Sequence, residues 1–344
     1  MNKLMKAAVL VREGEIELKE IPVPIPGQGE VLVRVRAATT CGTDLKLYTR
    51  GHPKFPPPLT LGHEFGGEIA QLGPGVEGFS QGARVTANVF GECGDCFYCR
   101  KGQGNLCERL VYNFGAFAEY NLIPASIVRK TLFPIPDQIS DAEAAVLEPL
   151  VCVVHAFKKI NPKAGETVAV IGAGGAISLL FIQMLVLAEV EDIIAIGHSD
   201  FRLQKAGQLG AKVSVNAKKQ DPQQVIRDLS GGRGVDAAIE CAGTREAWEK
   251  AVDITRPGGR VLWFGGLPGG TKIALDAGKV HYGGIDLYNS HGGTAADARR
   301  ASELIFSGDI RTHPLITEEL PLTEIEQAFQ KMRAGEAVKV AIIP

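Results

Sequence analysis

The chain shows two hydrophobic patterns, and the first runs to about residue 150. Apolar and polar residues alternate there in short stretches, among them "KAAVLV", "EVLVRVRA", "GEIAQLG" and "ARVTANVF". A period of two predicts β-strands with one buried face, and "EIELKEI" is predicted to pair with "KAAVLV" as a hairpin. Pro and Gly in "PVPIPGQGE" and "LGPGVEGFSQG" indicate turns between strands. The pattern predicts an antiparallel, partly closed β architecture.

The second pattern begins at about residue 165, where apolar strands alternate with helices. "ETVAVIGA", "DIIAIG", "KVSVN", "VDAAIECA" and "GRVLWFGG" have the pattern of buried strands, and the segments between them have helical spacing. Asp221 and Pro222 are predicted to start one of these helices. This order predicts an α/β fold with a doubly wound parallel sheet over residues 154–291. Residues 292–344, which hold one more helix and strand, are assigned back to the first domain at residues 1–153.

Composition and charge limit the classes of protein to consider. The 344 residues are 45% hydrophobic and 22% charged, and the formal net charge is −2. No apolar run reaches the roughly 20 residues that a membrane span needs, and the N-terminal stretch lacks the cleavage site of a signal peptide. The near-neutral balance argues against a nucleic-acid or membrane-surface partner. We therefore expect a cytoplasmic protein, in which clustered cysteines stay reduced and indicate a metal site or catalysis.

Four of the seven cysteines fall in one short loop: Cys93, Cys96, Cys99 and Cys107. Disulfides and a redox pair are alternatives, but the spacing C-x2-C-x2-C-x7-C is typical of a closed tetrahedral Zn²⁺ site. An iron–sulfur cluster could use the same first three cysteines, although the long last spacing favours zinc. A zinc ribbon that binds nucleic acid would need a basic stripe that the loop lacks. Four protein ligands leave no open position, so residues 91–110 are predicted to hold a structural zinc.

The turn "IGAGGAIS" at residues 171–178 is similar to the dinucleotide-binding pattern G-x-G-x-x-G. Its glycines would let a pyrophosphate approach the backbone and lie on the N-terminus of the next helix. The copy is irregular, because its third position holds Ile177 or, with one extra residue in the turn, Ser178. The residues predicted to contact the cofactor in this domain are Gly172, Gly174, Gly175, Ala176, Ile177, Cys241, Ala242 and Gly265.

The end of the second strand of this domain, "IIAIGHSDFR", bears on the choice of cofactor. NAD sites usually carry an acidic residue there that binds the ribose 2′-hydroxyl, and Gly197 occupies that position. His198, Ser199 and Arg202 could instead bind the 2′-phosphate of NADP, although Asp200 would repel this phosphate if it pointed inward. A solvated turn without such a role is the alternative. The sequence favours NADP(H) over NAD(H).

Candidate catalytic residues lie in three separate segments. Cys41 stands in "TTCGTD", His63 and Glu64 stand in "LGHEFGGE", and Glu148 stands in "LEPLVCVVHA". A thiolate, an imidazole and a carboxylate from separate loops make a zinc site with one position open for an oxygen ligand. Each residue also has a structural explanation, as a buried thiol, a hydrogen-bonded histidine or a carboxylate that caps a helix.

These motifs, taken in order, resemble those of the zinc-dependent medium-chain alcohol and polyol dehydrogenases, in particular the branch of sorbitol and threonine dehydrogenases. The resemblance covers essentially the whole chain. It rests on "CGTD", "GHEFGGEI", "GARVTANV", the four-cysteine loop, "FAEY", "LEPL", "VAVIGAG", "VDAAIECAG" and "RPGGRVLWFGG". It implies a GroES-like catalytic domain joined to a Rossmann-type domain, and assembly as a homodimer or homotetramer.

The resemblance also implies a catalytic metal. Cys41, His63 and Glu148 would bind a catalytic zinc, so that each chain holds two Zn²⁺ ions. The adjacent Glu64 would bind this zinc transiently or lie just outside its ligand shell. Glu148 as third ligand is typical of the polyol branch, whereas the classical alcohol dehydrogenases have cysteine there.

Two further residues take roles from the same resemblance. Thr43 would pass the substrate proton towards solvent, and Asp44 would accept a hydrogen bond from His63 and so orient its ring. The chain departs from the family pattern in two places. The phosphate turn is irregular, and the stretch from Cys107 to "FAEY" is shorter than usual, which indicates a trimmed loop near the active site.

The implied reaction is hydride transfer between a secondary alcohol or polyol, or the corresponding ketone or aldehyde, and a nicotinamide cofactor. Zinc would act as a Lewis acid towards the substrate oxygen. Alternatives within the family are oxidation of L-threonine or of a sugar phosphate. Outside it, the alternatives are a zinc protein that binds NADP(H) without turnover and a nucleic-acid-binding zinc ribbon.

Overall fold

A computed structural model describes residues 3–344, and the chain divides into two compact units. The first comprises the residues up to Val151 together with Gly293–Pro344, and the second is the continuous segment Cys152–Gly292. The strands are β1 (Leu4–Arg12), β2 (Glu15–Pro22), β3 (Val31–Thr39), β4 (Leu59–Thr60), β5 (Phe65–Leu72), β6 (Arg84–Ala87), β7 (Phe90–Gly91), β8 (Val111–Tyr112), β9 (Tyr120–Ile123), β10 (Leu132–Pro134), β11 (Thr167–Ile171), β12 (Asp192–Gly197), β13 (Val213–Asn216), β14 (Val235–Glu240), β15 (Thr255–Trp263), β16 (Asp286–Asn289), β17 (Ile316–Pro321) and β18 (Lys339–Ile343). The α-helices are α1 (Gly42–Arg50), α2 (Phe97–Arg100), α3 (Ala125–Thr131), α4 (Asp141–Ala145), α5 (Leu147–Ile160), α6 (Ala176–Leu187), α7 (Asp200–Gln208), α8 (Pro222–Ser230), α9 (Arg245–Ile254), α10 (Ala277–Tyr282), α11 (Ala295–Phe306) and α12 (Ile325–Ala334).

The first unit is built on β-sheets, as its alternating pattern predicts. β1 and β2 form the predicted antiparallel hairpin, with Val9 opposite Glu17, and β4 pairs with the other edge of β1. A seven-stranded sheet runs in the order β10-β6-β5-β3-β18-β17, and β9 also pairs with β3. Leu10, Phe65 and Phe117 belong to one buried apolar cluster of this unit. Burial of these alternate residues stabilises the sheets.

The C-terminal segment returns to this unit and enters its largest sheet. α12 buries Ile325, Ala328 and Phe329, and β18 lies between β3 and β17. β18 pairs antiparallel with β3 and parallel with β17. The last strand is therefore an interior strand next to β3, which ends just before Cys41.

The second unit contains a six-stranded parallel sheet in the order β13-β12-β11-β14-β15-β16. Val170 and Ile239 are fully buried, as expected for a parallel sheet that helices cover on both faces. Asp221 accepts the Gln223 N–H and Pro222 begins α8, as predicted. The strand order reverses between β11 and β14, which makes a topological switch point at their carboxyl ends. The predicted fold class, with a β-rich part and a doubly wound parallel sheet, is confirmed.

Helix α6 follows the first strand of this parallel sheet and is buried along most of its length. Ser178, Leu180 and Phe181 are inaccessible to solvent, whereas Val186 and Leu187 in its last turn are partly exposed. The apolar segment is thus a core helix of twelve residues. Across residues 3–344, no helix has both the length and the apolar character to cross a membrane.

Candidate metal centres and cofactor crevice

The four cysteines of the loop at residues 91–110 form a compact cluster. Their sulfur atoms all lie within 4.8 Å of one another. The distances are 3.8 Å for Cys93–Cys99, 3.9 Å for Cys96–Cys107 and 3.4 Å for Cys93–Cys107. A tetrahedron of sulfurs around Zn²⁺ at ~2.3 Å has edges of about 3.8 Å. All four thiols are free of disulfides, so the cluster fits one zinc ion with four thiolate ligands.

Backbone groups of the loop point at these sulfurs. The N–H groups of Cys93 and Arg109 donate to Sγ of Cys107 at 3.3 and 3.4 Å. These two hydrogen bonds fix the position of the Cys107 sulfur within the cluster. Lys130 on α3 donates to the Glu92 carbonyl oxygen at 3.1 Å and thereby ties the loop to a helix. The loop is therefore fixed by a hydrogen bond from helix α3 as well as by contacts among its cysteines.

Cys41 lies between β3 and α1 and caps the helix. Its backbone N–H donates to Oδ2 of Asp44 at 3.2 Å, and the Thr43 N–H donates to its sulfur at 3.4 Å. This reciprocal capping box fixes the sulfur at the N-terminus of α1. Thr43, in the first turn, is exposed to solvent.

Asp44 also orients His63. The fully buried carboxylate accepts hydrogen bonds at Oδ1 from the Gly62 N–H and from Nδ1 of His63, both at 3.1 Å. With the proton on Nδ1, Nε2 is left to bind a metal. Burial disfavours a charged imidazole, but Asp44 and Cys41 outweigh burial, so the pKa of His63 lies well above its usual value. The buried carboxylate of Asp44 thus lies next to the imidazole that would bind a metal.

Glu64 completes a close group of three ligand atoms. Its Oε2 accepts hydrogen bonds from the Thr39 hydroxyl and the Lys339 ammonium group. Its Oε1 is buried and has no hydrogen-bond partner among the described residues. The sulfur of Cys41, a ring nitrogen of His63 and an oxygen of Glu64 all lie within 4.8 Å of one another. A cation bound by these groups would satisfy the orphaned oxygen.

Glu148 lies beside this group, in the first turn of α5. Its Oε2 is 4.0 Å from Nε2 of His63, and its side chain is buried. Burial raises the pKa of Glu148 to about 7, against the opposing charge of His63. The structure thus brings all four predicted residues together, and Glu64 completes the closest three-residue group while Glu148 approaches His63.

Lys339 is a residue of this site that the sequence analysis missed. Its Nζ donates to the Thr40 carbonyl oxygen at 3.0 Å and forms a buried ion pair with Glu64. Burial lowers the pKa of Lys339, but Glu64 and Cys41 more than compensate and raise it above the usual value. A lysine inside the otherwise apolar stretch "AVKVAIIP" was the available signal, because an interior lysine needs an anionic partner.

An aromatic group beside His63 was also not predicted. Phe114 packs edge-on against His63 with ring centroids 5.5 Å apart, and Phe55 packs against Phe114 at 4.8 Å. Phe114 belongs to the short stretch after Cys107. The N–H groups that follow Phe114, those of Gly115 and Ala116, donate to the Gly62 carbonyl oxygen at 2.9 and 3.0 Å. This stretch therefore lies directly against the segment that carries His63.

The turn between β11 and α6 fits a phosphate group. Gly172 and Gly174 have φ angles of 79° and 101°, and a Cβ on Gly172 would lie 2.7 Å from the Ala242 nitrogen. Gly175 precedes α6 without a side-chain cap, and the space that its Cβ would fill is open to 3.9 Å. Ser178 braces the irregular turn, because its Oγ accepts the Gly174 N–H at 2.9 Å. Uncapped N–H groups at a helix N-terminus bind anions.

The other predicted cofactor residues of this unit lie around the same switch point. Ala176 and Ile177 form the first turn of α6. The Cys241 N–H donates to the carbonyl oxygen of Ile171 at 2.9 Å, which joins the loop after β14 to the end of β11. Gly265, which follows β15, packs against the same loop. The Gly-rich turn and two neighbouring loops therefore lie together at the carboxyl edge of the sheet.

Gly197, at the end of β12, is required by the packing of the Gly-rich turn. A Cβ at this position would lie 2.6 Å from the Ala173 carbonyl oxygen. His198 is exposed, and Ser199 precedes α7 without using its hydroxyl as a cap. Arg202 packs against Gly174, and burial lowers the pKa of its guanidinium group. These three polar side chains follow the end of β12, and Arg202 among them contacts the Gly-rich turn.

The direction of Asp200, which the sequence left open, is visible in the structure. Its carboxylate accepts hydrogen bonds from Nδ2 of Asn216 and Nζ of Lys219, both at 2.7 Å. The Lys219 ammonium group lowers the pKa of Asp200. The negative charge of Asp200 is therefore partnered by a cation that follows β13.

Comparisons with known proteins agree with this architecture. The model of the alcohol dehydrogenase GroES-like domain matches residues 27–137, and that of the zinc-binding dehydrogenase domain matches residues 176–307. A sorbitol dehydrogenase of Halalkalibacterium halodurans is 32% identical over 99% of both chains. An L-threonine 3-dehydrogenase of Pyrococcus horikoshii is 33% identical over 100% of this chain and 99% of its own.

A solved structure gives a third comparison. A protein of Sinorhizobium meliloti 1021 described as a zinc-binding dehydrogenase, crystallised with NADP, is 33% identical and covers 100% of both chains with a TM-score of 0.91. The similarity to it and to the two enzymes extends along the whole chain, which confirms that the protein is an enzyme. The chain belongs to the zinc-dependent medium-chain alcohol and polyol dehydrogenase family and is an NAD(P)-dependent oxidoreductase.

Proposed function

We propose that Cys41, His63 and Glu148 hold the catalytic zinc of this dehydrogenase. Glu64, which Lys339 holds beside them, is an alternative ligand. The observation that carries this proposal is the position of the Glu148 carboxylate, whose Oε2 lies 4.0 Å from Nε2 of His63, beside the group in which Cys41, His63 and Glu64 bring a thiol, an imidazole and a carboxylate within 4.8 Å of one another. A second zinc is proposed on the four-cysteine loop, because its sulfur spacing suits a closed tetrahedral site.

The chain's own residues orient the reacting groups and move the proton. When bound, Zn²⁺ supplies a Lewis acid for the substrate oxygen, and the nicotinamide supplies a hydride acceptor. Asp44 holds His63 through Nδ1 and keeps Nε2 directed at the site. The exposed hydroxyl of Thr43 accepts the proton of the substrate hydroxyl and releases one to solvent. Phe55 and Phe114 give the site an apolar side that excludes water.

We propose a secondary alcohol with a hydroxyl or amino group on the neighbouring carbon as the substrate. Sorbitol and L-threonine, after which the two enzyme relatives are named, share this arrangement. An apolar side formed by Phe55 and Phe114 beside a buried polar group suits such a compound, which carries a carbon chain and two adjacent polar atoms.

The test is a screen of initial rates with both cofactors. Sorbitol, butane-2,3-diol, L-threonine and polyol phosphates are compared with propan-2-ol, which has no neighbouring polar group. We expect kcat/KM for the best of the first group to exceed that for propan-2-ol by about tenfold or more, the scale of one lost polar contact. Equal or higher kcat/KM for propan-2-ol would contradict the proposed substrate class.

We also propose that the enzyme prefers NADP(H). His198, Ser199 and the cation of Arg202 follow the end of β12, where the sequence has glycine in place of an acidic residue. The negative charge of Asp200 is neutralised by Lys219, which removes the main argument against a bound 2′-phosphate. The crystal structure of the relative from Sinorhizobium meliloti 1021 contains NADP.

Arg202→Ala should weaken NADPH binding more than NADH binding. A charged hydrogen bond contributes about 1.5–3 kcal/mol, so we expect the ratio of the two dissociation constants to change by roughly tenfold or more. Nucleotide fluorescence titration measures both constants, and Lys205→Ala on the same helix is the control that should leave the ratio unchanged. A wild-type enzyme that prefers NAD by tenfold in kcat/KM would refute the assignment, and Gly197 would then reflect packing alone.

We propose a homodimer or homotetramer in which copies meet at the outer edge of β16. This strand ends the six-stranded sheet and, within residues 3–344, pairs only with β15. An uncovered sheet edge promotes association, and a symmetric partner covers it. Light scattering should give two or four times the monomer mass of 36.7 kDa. A mass of one chain at all working concentrations would refute this assembly.

The cytoplasm is the proposed location of the enzyme, on the basis of its thiols. All seven cysteines are free of disulfides. Cysteines remain reduced in the cytoplasm, where they can bind zinc.

The proposed domain limits remain residues 1–153 with 292–344 for the catalytic domain, and residues 154–291 for the dinucleotide-binding domain.

A further inference from the structure

Glu240 is a buried acidic residue for which the reaction described above gives no role. It ends β14, and its side chain has no exposed surface. Its Oε1 accepts two backbone hydrogen bonds, from the Ala242 N–H at 2.6 Å and from the Gly243 N–H at 2.7 Å. Its Oε2 is buried without a hydrogen-bond partner among the described residues. The buried carboxyl group of Glu240 therefore holds the loop of residues 241–243 through two backbone hydrogen bonds.

Residues 241–243 lie between the Gly-rich turn and the loop after β15. The nitrogen of Ala242 lies against Gly172 of the Gly-rich turn, where a Cβ would come within 2.7 Å. The backbone carbonyl of Glu240 accepts the Phe264 and Gly265 N–H groups at 3.0 and 3.1 Å. Glu240 therefore joins the loops after β14 and β15 on one side of the switch point. Nucleotide cofactors bind in the crevice at such a point.

We propose that Glu240 is a positioning residue for the nicotinamide cofactor: its carboxylate holds residues 241–243 in the shape that completes the cofactor crevice, and protonation of the carboxylate weakens cofactor binding. The proposal rests on the proposed cofactor residues Gly172, Ala242 and Gly265. It does not depend on whether NADP or NAD is preferred, because the 2′-phosphate is assigned to the end of β12.

The groups around Glu240 determine the direction of the pH effect. Burial raises the pKa of Glu240 to about 7, and the N–H groups of Gly243 and Ala242 oppose it by favouring the carboxylate. The titratable neighbour is Cys241, and burial and the charge of Glu240 both raise its pKa, so its thiol stays neutral. A carboxylate accepts N–H groups more strongly than a carboxylic acid does. Cofactor affinity should therefore rise as the pH increases through about 7.

The pH dependence of folding stability should run in the direction opposite to that of cofactor affinity. The pKa of Glu240 is raised on folding, so its contribution to stability is present below the unfolded pKa of a glutamate and is lost as the pH rises through about 7. Thermal stability and cofactor affinity should thus change in opposite directions across neutral pH. Only the affinity trend requires the carboxylate to shape the crevice.

The experiment measures NADPH and NADH binding by nucleotide fluorescence on the intact protein between pH 5.5 and 8.5. For Glu240→Gln, the pH step in both dissociation constants should disappear, because the amide accepts the two N–H groups at every pH and carries no charge. For Glu240→Ala, both constants at pH 8 should rise by about tenfold or more, the scale of lost hydrogen bonds to a charged acceptor.

Asp236→Asn is the matched control. Asp236 is a carboxylate of the same strand, but it lies near the opposite end and accepts the Thr167 N–H and the Arg256 guanidinium group. It should leave the pH step intact. The inference is overturned if the dissociation constants of Glu240→Gln still change with pH, or if those of the wild type do not change. If Glu240→Ala does not fold, Glu240→Gln alone tests the inference. If the wild type binds neither nucleotide, the proposed cofactor site is also wrong. If it binds both nucleotides with dissociation constants that do not depend on pH, only the role of Glu240 is wrong.

Discussion

Cys41→Ala and Glu148→Ala are each expected to lower kcat by a factor of at least about 10³, because Lewis-acid stabilisation of a developing charge contributes several kcal/mol. Both residues belong to the buried group around His63, and neither lies in the segment that carries the Gly-rich turn. Binding of NADPH should therefore stay within about threefold of the wild type, since the cofactor residues are in the second unit. Rate measurements with the best substrate of the screen, together with fluorescence titration, test both parts.

The control for this pair is Glu143→Ala. Glu143 lies on α4, four positions before the first residue of α5, and its carboxylate accepts hydrogen bonds from Ser140 as part of a helix cap. Its loss should leave kcat unchanged, although stability falls by about 1 kcal/mol. Full activity in Cys41→Ala would rule out the proposed metal centre. Full activity in Glu148→Ala alone would instead identify Glu64 as the third ligand.

Cys99→Ser is expected to remove one of two zinc ions per chain and to lower the melting temperature by roughly 10 °C or more. A serine hydroxyl is a poor replacement for the thiolate, and structural zinc sites contribute about 10–16 kcal/mol of apparent folding free energy in small peptides. Even a third of that figure gives a shift of this size in a domain of about 200 residues. Elemental analysis and differential scanning calorimetry measure the two effects.

Cys152→Ser is the control for the loss of a thiol. Cys152 is half-buried and lies on α5, outside both cysteine-containing clusters. The metal content of this variant should stay at two ions per chain. One zinc or none in fresh, active wild-type protein would contradict the prediction of two zinc ions per chain.

Some parts of the two sites could be predicted from the sequence because the chain itself imposes them. The spacing of Cys93, Cys96, Cys99 and Cys107 restricts all four sulfurs to one loop, and the structure places them 3.4–3.9 Å apart where pairs are measured. Apolar strands that alternate with helices predict a parallel sheet, because only such strands are buried on both faces. Local periodicity and spacing carried these predictions.

Other parts depend on contacts between distant segments. Lys339 meets Glu64 over a sequence separation of 275, and no local pattern indicates that pairing. The direction of Asp200 depends on Asn216 and Lys219, which follow a different strand. The sequence predicts that Gly197 stands in place of the acidic residue of NAD sites. In the structure, the Ala173 carbonyl oxygen leaves no room for any side chain at this position. Each of these contacts required the register of the folded sheets.

The position of β18 has a consequence for how the enzyme is made. The strand lies between β3 and β17 in the seven-stranded sheet, and Lys339 at its start contacts Thr40 and Glu64. The residues from Cys152 to Gly292 form a continuous unit, whose sheet is already complete when they have been synthesised. At roughly 5–20 residues per second, the ribosome adds residues 293–343 several seconds later. Cys41, His63 and Glu64 are therefore synthesised long before Lys339, and the buried ion pair between Glu64 and Lys339 can form only after residues 293–339 have been added.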